Sequence, residues 1–253
     1  MAVEQHSKWF ETWFDSPYYP ILYKNRDCSE AESFIRKLVD HLHLSPKDSS
    51  PASNLRVLDL ACGRGRHSFS LNQLGFDVTG IDLSQQSIAY AKKCENDHLH
   101  FYVHDMRKLF RTNYFDAVLN LFTSLGYFEK EKDELAVIDS ACKALKPGGI
   151  FILDFFNAGS VIQQLKPFEE ITVEGIKFMI HKKSEGDFII KQISFSDKGK
   201  EYHFEERVKA LTLAHFEKYL SASNLKIVNL WGNYRLDAFN PLTSERLIIV
   251  AKK

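Results

Sequence analysis

At 253 residues, with Lys+Arg and Asp+Glu balanced at 33 each, the chain has room for one large domain with an elaboration but not for two ordinary domains and their linkers. The charge balance argues against a general affinity for nucleic-acid backbones or anionic lipid, and 44% hydrophobic residues with 20 Phe and 10 Tyr exclude a disordered chain. Four scattered cysteines without C-x-x-C spacing disfavour a zinc site or a disulfide framework. With no leader-like start and no apolar run near the roughly 20 residues that span a bilayer, the expectation is a cytoplasmic protein without a membrane segment.

In chain order, the stretch from Trp9 to Asp27 is too aromatic for a solvated tail and too interrupted by proline for a long helix. It must lie on something, either as an aromatic clamp on the main domain or as a lid over a ligand. Ser29-Glu30-Ala31-Glu32 reads as a capping box, followed by Ala31, Phe34, Ile35, Leu38, Val39 and Leu42 at helical spacing. Residues 45–54 are a proline- and serine-rich surface connection. The expected division is therefore a lid and helix over 1–54 and a main domain over 55–253.

The main domain opens with Val57, Leu58 and Leu60, a short apolar run suited to a central parallel strand. Gly63 and Gly65 then allow a sharp turn into a helix whose first N–H groups are free, which makes a cofactor cradle. A dinucleotide fingerprint wants a third glycine, but Ser68 stands there, and Asp59 ahead of the turn would repel a pyrophosphate while suiting an ammonium group. A second strand, Asp77 to Ile81, ends in Asp82, an acid about twenty residues on where a carboxylate binds a ribose diol. Its alternative reading is a helix cap, for which Ser84 is the better candidate.

Leu99 to Val103 is a third strand, followed by Asp105 and Met106. His98, His100 and His104 near it suggest a metal, but no acid or cysteine completes a ligand set, so none is expected. Tyr114 to Phe122 is a fourth strand, whose following loop carries Ser124 and Tyr127 toward the ligand side of the sheet. A helix over about 132–145 stops at Lys146-Pro147-Gly148-Gly149, before the strand Ile150 to Asp154. Asp154 and Asn157 are candidate substrate-orienting groups or turn stabilisers. Alternating apolar residues from Ile171 to Phe204, broken by Gly175, Gly186 and Gly199, predict an antiparallel β meander of about four strands within an insertion spanning 160–210. A helix near 212–221 and two final strands, the last over 244–251 and antiparallel, close the sheet.

The segments 57–65 and 78–84, the Lys-Pro-Gly-Gly terminator and the closing hairpin together resemble class I S-adenosylmethionine-dependent methyltransferases of the small-molecule type. The resemblance implies a doubly wound, Rossmann-like seven-stranded α/β sheet with an antiparallel last strand, S-adenosylmethionine as cofactor and in-line methyl transfer to a small-molecule acceptor. It implies that Asp59, Ala61, Gly63, Gly65, Asp82, Leu83, Asp105, Met106, Asn120, Leu121 and Phe122 line the cofactor, with Asp105 and Met106 at the adenine. Tyr23 and Arg26 would reach the methionine end. Tyr23, Tyr127, His181 and His203 are the candidates for a base. The insertion would cover the site or form a homodimer contact, a choice the residues leave open. Two other readings are a nicotinamide-dependent oxidoreductase and a cofactor-binding protein without turnover.

Overall fold

The computed structural model describes residues 9–24, 28–44 and 55–253. The connection at 45–54 and Arg26 lie outside them. Two short helices, α1 (Trp9–Trp13) and α2 (Tyr19–Leu22), precede α3 (Cys28–His41). Then follow β1 (Arg56–Leu60), α4 (Arg66–Gln73), β2 (Asp77–Asp82), α5 (Gln85–Ala91), β3 (Leu99–Val103), β4 (Phe115–Asn120), α6 (Glu131–Ala144) and β5 (Leu145–Phe156). After α7 (Ala158–Gln163) come β6 (Phe168–Val173), β7 (Ile176–Glu185), β8 (Phe188–Asp197) and β9 (Lys200–Lys209). The remaining elements are α8 (Leu213–Ala222), β10 (Lys226–Trp231) and β11 (Arg246–Lys252).

Seven strands form one sheet in the order β10-β11-β5-β4-β1-β2-β3. The strands from β5 to β3 run parallel, and β11 is antiparallel to both β5 and β10, the doubly wound arrangement with a reversed last strand that the sequence predicts. One face packs Phe34, Ile35 and Leu38 of α3 with Leu71 and Ile88, and the other packs Val137, Ile138 and Ala141 of α6 with Phe216 and Leu220 of α8. Burial on both faces is why the central strands read as continuous apolar runs.

Two boundaries differ from expectation. Helix α3 begins at Cys28, so Ser29 lies inside its first turn and cannot act as its cap. Strand β5 begins at Leu145, ahead of the proline, and its register against β4 jumps from Phe115↔Leu145 to Ala117↔Ile150. The Lys-Pro-Gly-Gly segment is thus an outward kink within strand geometry, with Gly148 left-handed at φ 79.

The second sheet, β6-β7-β8-β9, is an antiparallel meander, as the alternation predicts. Its register aligns Ile180, Ile193 and Phe204 across three strands. The aromatic stretch 9–24 packs on that row: Trp13 is fully buried, with its ring 4.5 Å from Phe204, and Tyr18 lies 4.7 Å from Phe195. Its opposite side meets the loop after β4, where Trp9 and Phe14 lie 5.1 and 5.4 Å from Tyr127. The meander is tied to the main sheet's helices by Lys209, whose Nζ lies 3.0 Å from the fully buried Glu134 of α6 and whose N–H donates to Gly126 O at 2.7 Å.

Candidate functional site

The turn after β1 alternates left-handed residues: Ala61 at φ 55, Gly63 at φ 56 and Gly65 at φ 81. At Gly65 a Cβ would also meet the Phe101 ring at 2.7 Å, so both backbone and space demand glycine. The turn is fastened to β2 by Cys62 N donating to Ile81 O at 3.0 Å. Asp82, at the end of β2, accepts from Gly63 N through Oδ2 and from Ser84 N through Oδ1, each at 2.8 Å. These two bonds fix the carboxylate plane and leave each oxygen with acceptor capacity. Burial raises the Asp82 carboxyl above its ordinary value, against the pull of those N–H groups. Ser84 caps α5 as expected, accepting from Ser87 N at 3.0 Å.

Ser68 proves to have a partner that explains its place. Its hydroxyl, fully buried in α4, donates to Asp59 Oδ2 at 2.6 Å beneath the turn. Burial pushes the Asp59 carboxyl up to about 7, although the Ser68 bond opposes the shift. An acid so placed favours a cationic ligand group nearby, because a positive charge would offset its desolvation.

At the end of β4, Asn120 is fully buried and donates through Nδ2 to Leu60 O at 3.1 Å, while its Oδ1 has no hydrogen-bond partner among the described residues. Leu121 O accepts from the Ser124 hydroxyl at 2.9 Å, which turns Ser124 inward. Phe122 and Thr123 follow with φ of 63 and 60, costing on the order of 1–3 kcal/mol each. The Arg66 guanidinium covers the Phe122 ring at 4.6 Å. Asp105, past β3, is held by Arg107 through Nε at 3.0 Å and Nη2 at 2.7 Å, while Met106 Sδ lies 3.9 Å from Asn120 Nδ2. Burial pushes Asp105 up, but the Arg107 bonds outweigh it and hold the carboxyl below its usual value. Leu83 is exposed beside the cradle.

The aromatic stretch reaches this region through residues that the sequence did not single out. Asp15 Oδ1 accepts from the Ser84 hydroxyl at 2.7 Å and from Gln86 N at 3.2 Å, two residues beyond Asp82. Glu206 of β9 accepts from Trp13 Nε1 at 2.7 Å and from the Tyr23 hydroxyl at 2.6 Å, and Lys191 Nζ donates to Tyr23 at 2.5 Å. The Tyr127 hydroxyl donates to Thr123 O. Burial keeps both Tyr23 and Tyr127 far above their ordinary ionisation range, so each is a hydrogen-bonding group and a poor base near neutrality.

The structure does not bring His181 or His203 to the cradle. His181 pairs with Gln192, which faces Glu205, and His203 pairs with Ser194, all one residue out of step with the row that holds Glu206 and Lys191. Period two therefore puts both histidines on the other face of the meander, and they border a cavity of about 540 Å³ whose lining also includes Trp9, Thr12 and Phe204. Asp154 and Asn157 hold loops: Asn157 Nδ2 donates to Pro241 O and Ser244 O, each at 2.9 Å, and Asp154 braces Phe122 and Thr123. Arg26 falls outside the described residues. Among the described residues no group of three or more His, Cys, Asp and Glu is placed to hold a metal, and no helix is long and apolar enough to cross a membrane. The arrangement can grip a ligand with a diol and a cationic end, with the Asp15 carboxylate two residues from Asp82 at Ser84.

Residues 57–149 match the family described as a methyltransferase domain. A glycine/sarcosine N-methyltransferase of Parasynechococcus marenigrum is 30% identical over 224 residues, covering 84% of this chain and 74% of that protein. YqeM of Bacillus subtilis is 36% identical over 113 residues, 43% of this chain, so that the chain spans 45% of that relative's length. Among solved structures, an S-adenosylmethionine-dependent methyltransferase from Clostridium acetobutylicum superposes with a TM-score of 0.75 at 20% identity, covering 93% of this chain and 95% of that one.

Proposed function

The chain belongs to the class I S-adenosylmethionine-dependent methyltransferases, and from that premise we propose that it methylates a small molecule at an amine. One observation carries the cofactor reading: the Asp82 carboxylate, oriented by Gly63 N and Ser84 N, presents two oxygens of fixed direction at the mouth of a glycine turn. The residues fit the cofactor on further grounds. Asp59 lies buried beneath the turn with a carboxyl that a nearby ammonium would ionise, and the Asn120 Oδ1 acceptor has no partner among the described residues.

In this reading Asp82 binds the ribose diol, and Ala61, Gly63 and Gly65 shape the backbone around the methionine moiety with Asp59 toward its ammonium. Leu83, Asp105 and Met106 border the adenine, and Asn120, Leu121 and Phe122 flank the ribose and methionine. When bound, the cofactor supplies an electrophilic methyl group on a positively charged sulfur. The protein's part is alignment and exclusion of water, through the aromatic stretch closed over the cradle. Tyr23 contributes a hydrogen bond to the acceptor, with Tyr127 lining the site beside it, and the acceptor's proton leaves to solvent or to the hydrogen-bonded Glu206. The relative that methylates glycine and sarcosine supports an amine acceptor. We place the reaction in the cytoplasm, which the unpaired thiols of Cys62, Cys94 and Cys142 support.

Thermal unfolding with S-adenosylhomocysteine, with NADH as the control, tests the cofactor. At about 100 times its dissociation constant, the ligand should add roughly 2.7 kcal/mol, a rise of about 5–10 °C, and Asp82→Ala should lose it. A rise with NADH alone would overturn the reading. Release of S-adenosylhomocysteine on adding primary and secondary amines then separates an enzyme from a protein that binds the cofactor without turnover.

A further inference from the structure

Phe122 and Thr123 are consecutive, neither is glycine, and both are left-handed at φ 63 and 60. Aromatic and β-branched residues rarely adopt that backbone, and it persists only where the surroundings over-determine it. Here they do. Phe122 N donates to Asp154 Oδ2 and Thr123 N to Asp154 O, each at 2.9 Å. Arg246 Nη2 donates to Thr123 Oγ1 at 2.9 Å, and the Tyr127 hydroxyl donates to Thr123 O. Asp154, on β5, is itself fixed: it is buried, accepts from Arg246 Nε at 2.8 Å and accepts from the Tyr234 hydroxyl at 3.0 Å. One carboxylate and its carbonyl thus hold both strained amides, with an arginine from β11 locking the carboxylate in place.

The direction of these bonds has a chemical consequence. A carbonyl can only accept, so the Tyr127 proton is committed to Thr123 and the phenol oxygen is left as an acceptor. Burial keeps that hydroxyl protonated. It lies against Thr123, whose neighbour Phe122 is covered by Arg66 from the first turn of the cradle helix α4. If Phe122 and Thr123 relaxed to an ordinary backbone, the Thr123 carbonyl would swing away and the hydroxyl would be free to rotate its proton toward the ligand.

We propose that Asp154 is a positioning residue for the cofactor's charged sulfur: it holds Phe122 and Thr123 left-handed, which aims the Thr123 carbonyl at Tyr127 and turns the phenol oxygen toward the cation. This rests on the methyltransferase reading above. A sulfonium gains from an oxygen acceptor that a neutral thioether does not use, so the brace favours unreacted cofactor over demethylated product. A purely structural brace would weaken both ligands alike.

Calorimetric titration of S-adenosylmethionine and of S-adenosylhomocysteine into the wild type, Asp154→Asn, Thr123→Pro and Tyr127→Phe separates these cases. Relative to the wild type, each variant should lose about tenfold more affinity for S-adenosylmethionine than for S-adenosylhomocysteine, the worth of one hydrogen bond to a charged group. Equal losses for both ligands would overturn the proposal. Should Asp154→Asn fail to fold, Thr123→Pro, which denies the left-handed φ and the bond to Asp154 O while leaving Asp154 in place, and Tyr127→Phe, which removes the oxygen, decide it by the same ratio. A wild type that binds neither ligand would instead overturn the methyltransferase reading on which the proposal stands.

Discussion

The glycine turn and the meander with its aromatic segment hold their polar groups in different ways. In the turn, backbone does the positioning: Gly63 N and Ser84 N aim Asp82, and the groups that meet come from one strand end and its neighbour. Across the meander, side chains do it, since Glu206 gathers Trp13 and Tyr23 from a segment far away in sequence. Backbone-built sites are stiff and fail when a single conformation is denied, whereas side-chain networks loosen by degrees.

The strongest way to break the first region is Gly65→Ala. A Cβ there would sit 2.7 Å from the Phe101 ring on a backbone at φ 81, so a loss of about 2–5 kcal/mol is expected in urea unfolding, together with loss of cofactor binding. Gly63→Ala, left-handed at φ 56 but with nothing within 4 Å, should cost only about 1–2 kcal/mol. Equal losses at the two sites would show that space around Gly65 is not what matters.

Asp59→Asn sharpens the contrast through pH. The folded carboxyl is pushed up to about 7 from 3.8, so as pH rises the unfolded chain gives up its proton first and the wild type loses stability between about pH 4 and pH 7. Over that span the loss is on the order of 4 kcal/mol. The variant should therefore match the wild type near pH 4 and exceed it at pH 8 in melting temperature. Parallel curves would mean that Asp59 is not raised.

The most local effect belongs to the second region. Glu206→Ala leaves the Trp13 Nε1 and Tyr23 hydroxyl protons without their acceptor and removes the ion pair of Lys191, and should cost about 1–3 kcal/mol. The expected signature is faster proteolysis within residues 9–24 with little change in the unfolding of the main sheet. A global loss would show that the two regions unfold as one.

This contrast also explains what the sequence could show. Strands β1, β2 and β4 are buried runs, and the glycine turn, Asp82 and the Ser84 cap depend on neighbours close in the chain or on one adjacent strand, so pattern alone reveals them. The reason for Ser68 was out of reach, because its link to Asp59 needs the α4 turn folded over β1. Glu206 and Lys191 became visible only once the register set them on an apolar face. His181 is different: Phe178 and Ile180 already define the inward face by alternation, so the sequence held the signal that His181 points away. The Arg107 claim on Asp105 was likewise within reach, two residues along the same loop.

The link between Trp13 and Glu206 joins residues 193 positions apart. On a ribosome adding 5–20 residues per second, the aromatic segment emerges roughly 10–40 s before the strand that receives it. For nearly all of that interval Trp13 and Tyr18 lack the Phe204 and Phe195 rings that cover them, and Trp9, Phe10 and Phe14 have at most the loop of Tyr127 and Phe128. The nascent chain carries its stickiest stretch bare during synthesis, and the demand for a chaperone is greatest before the meander exists.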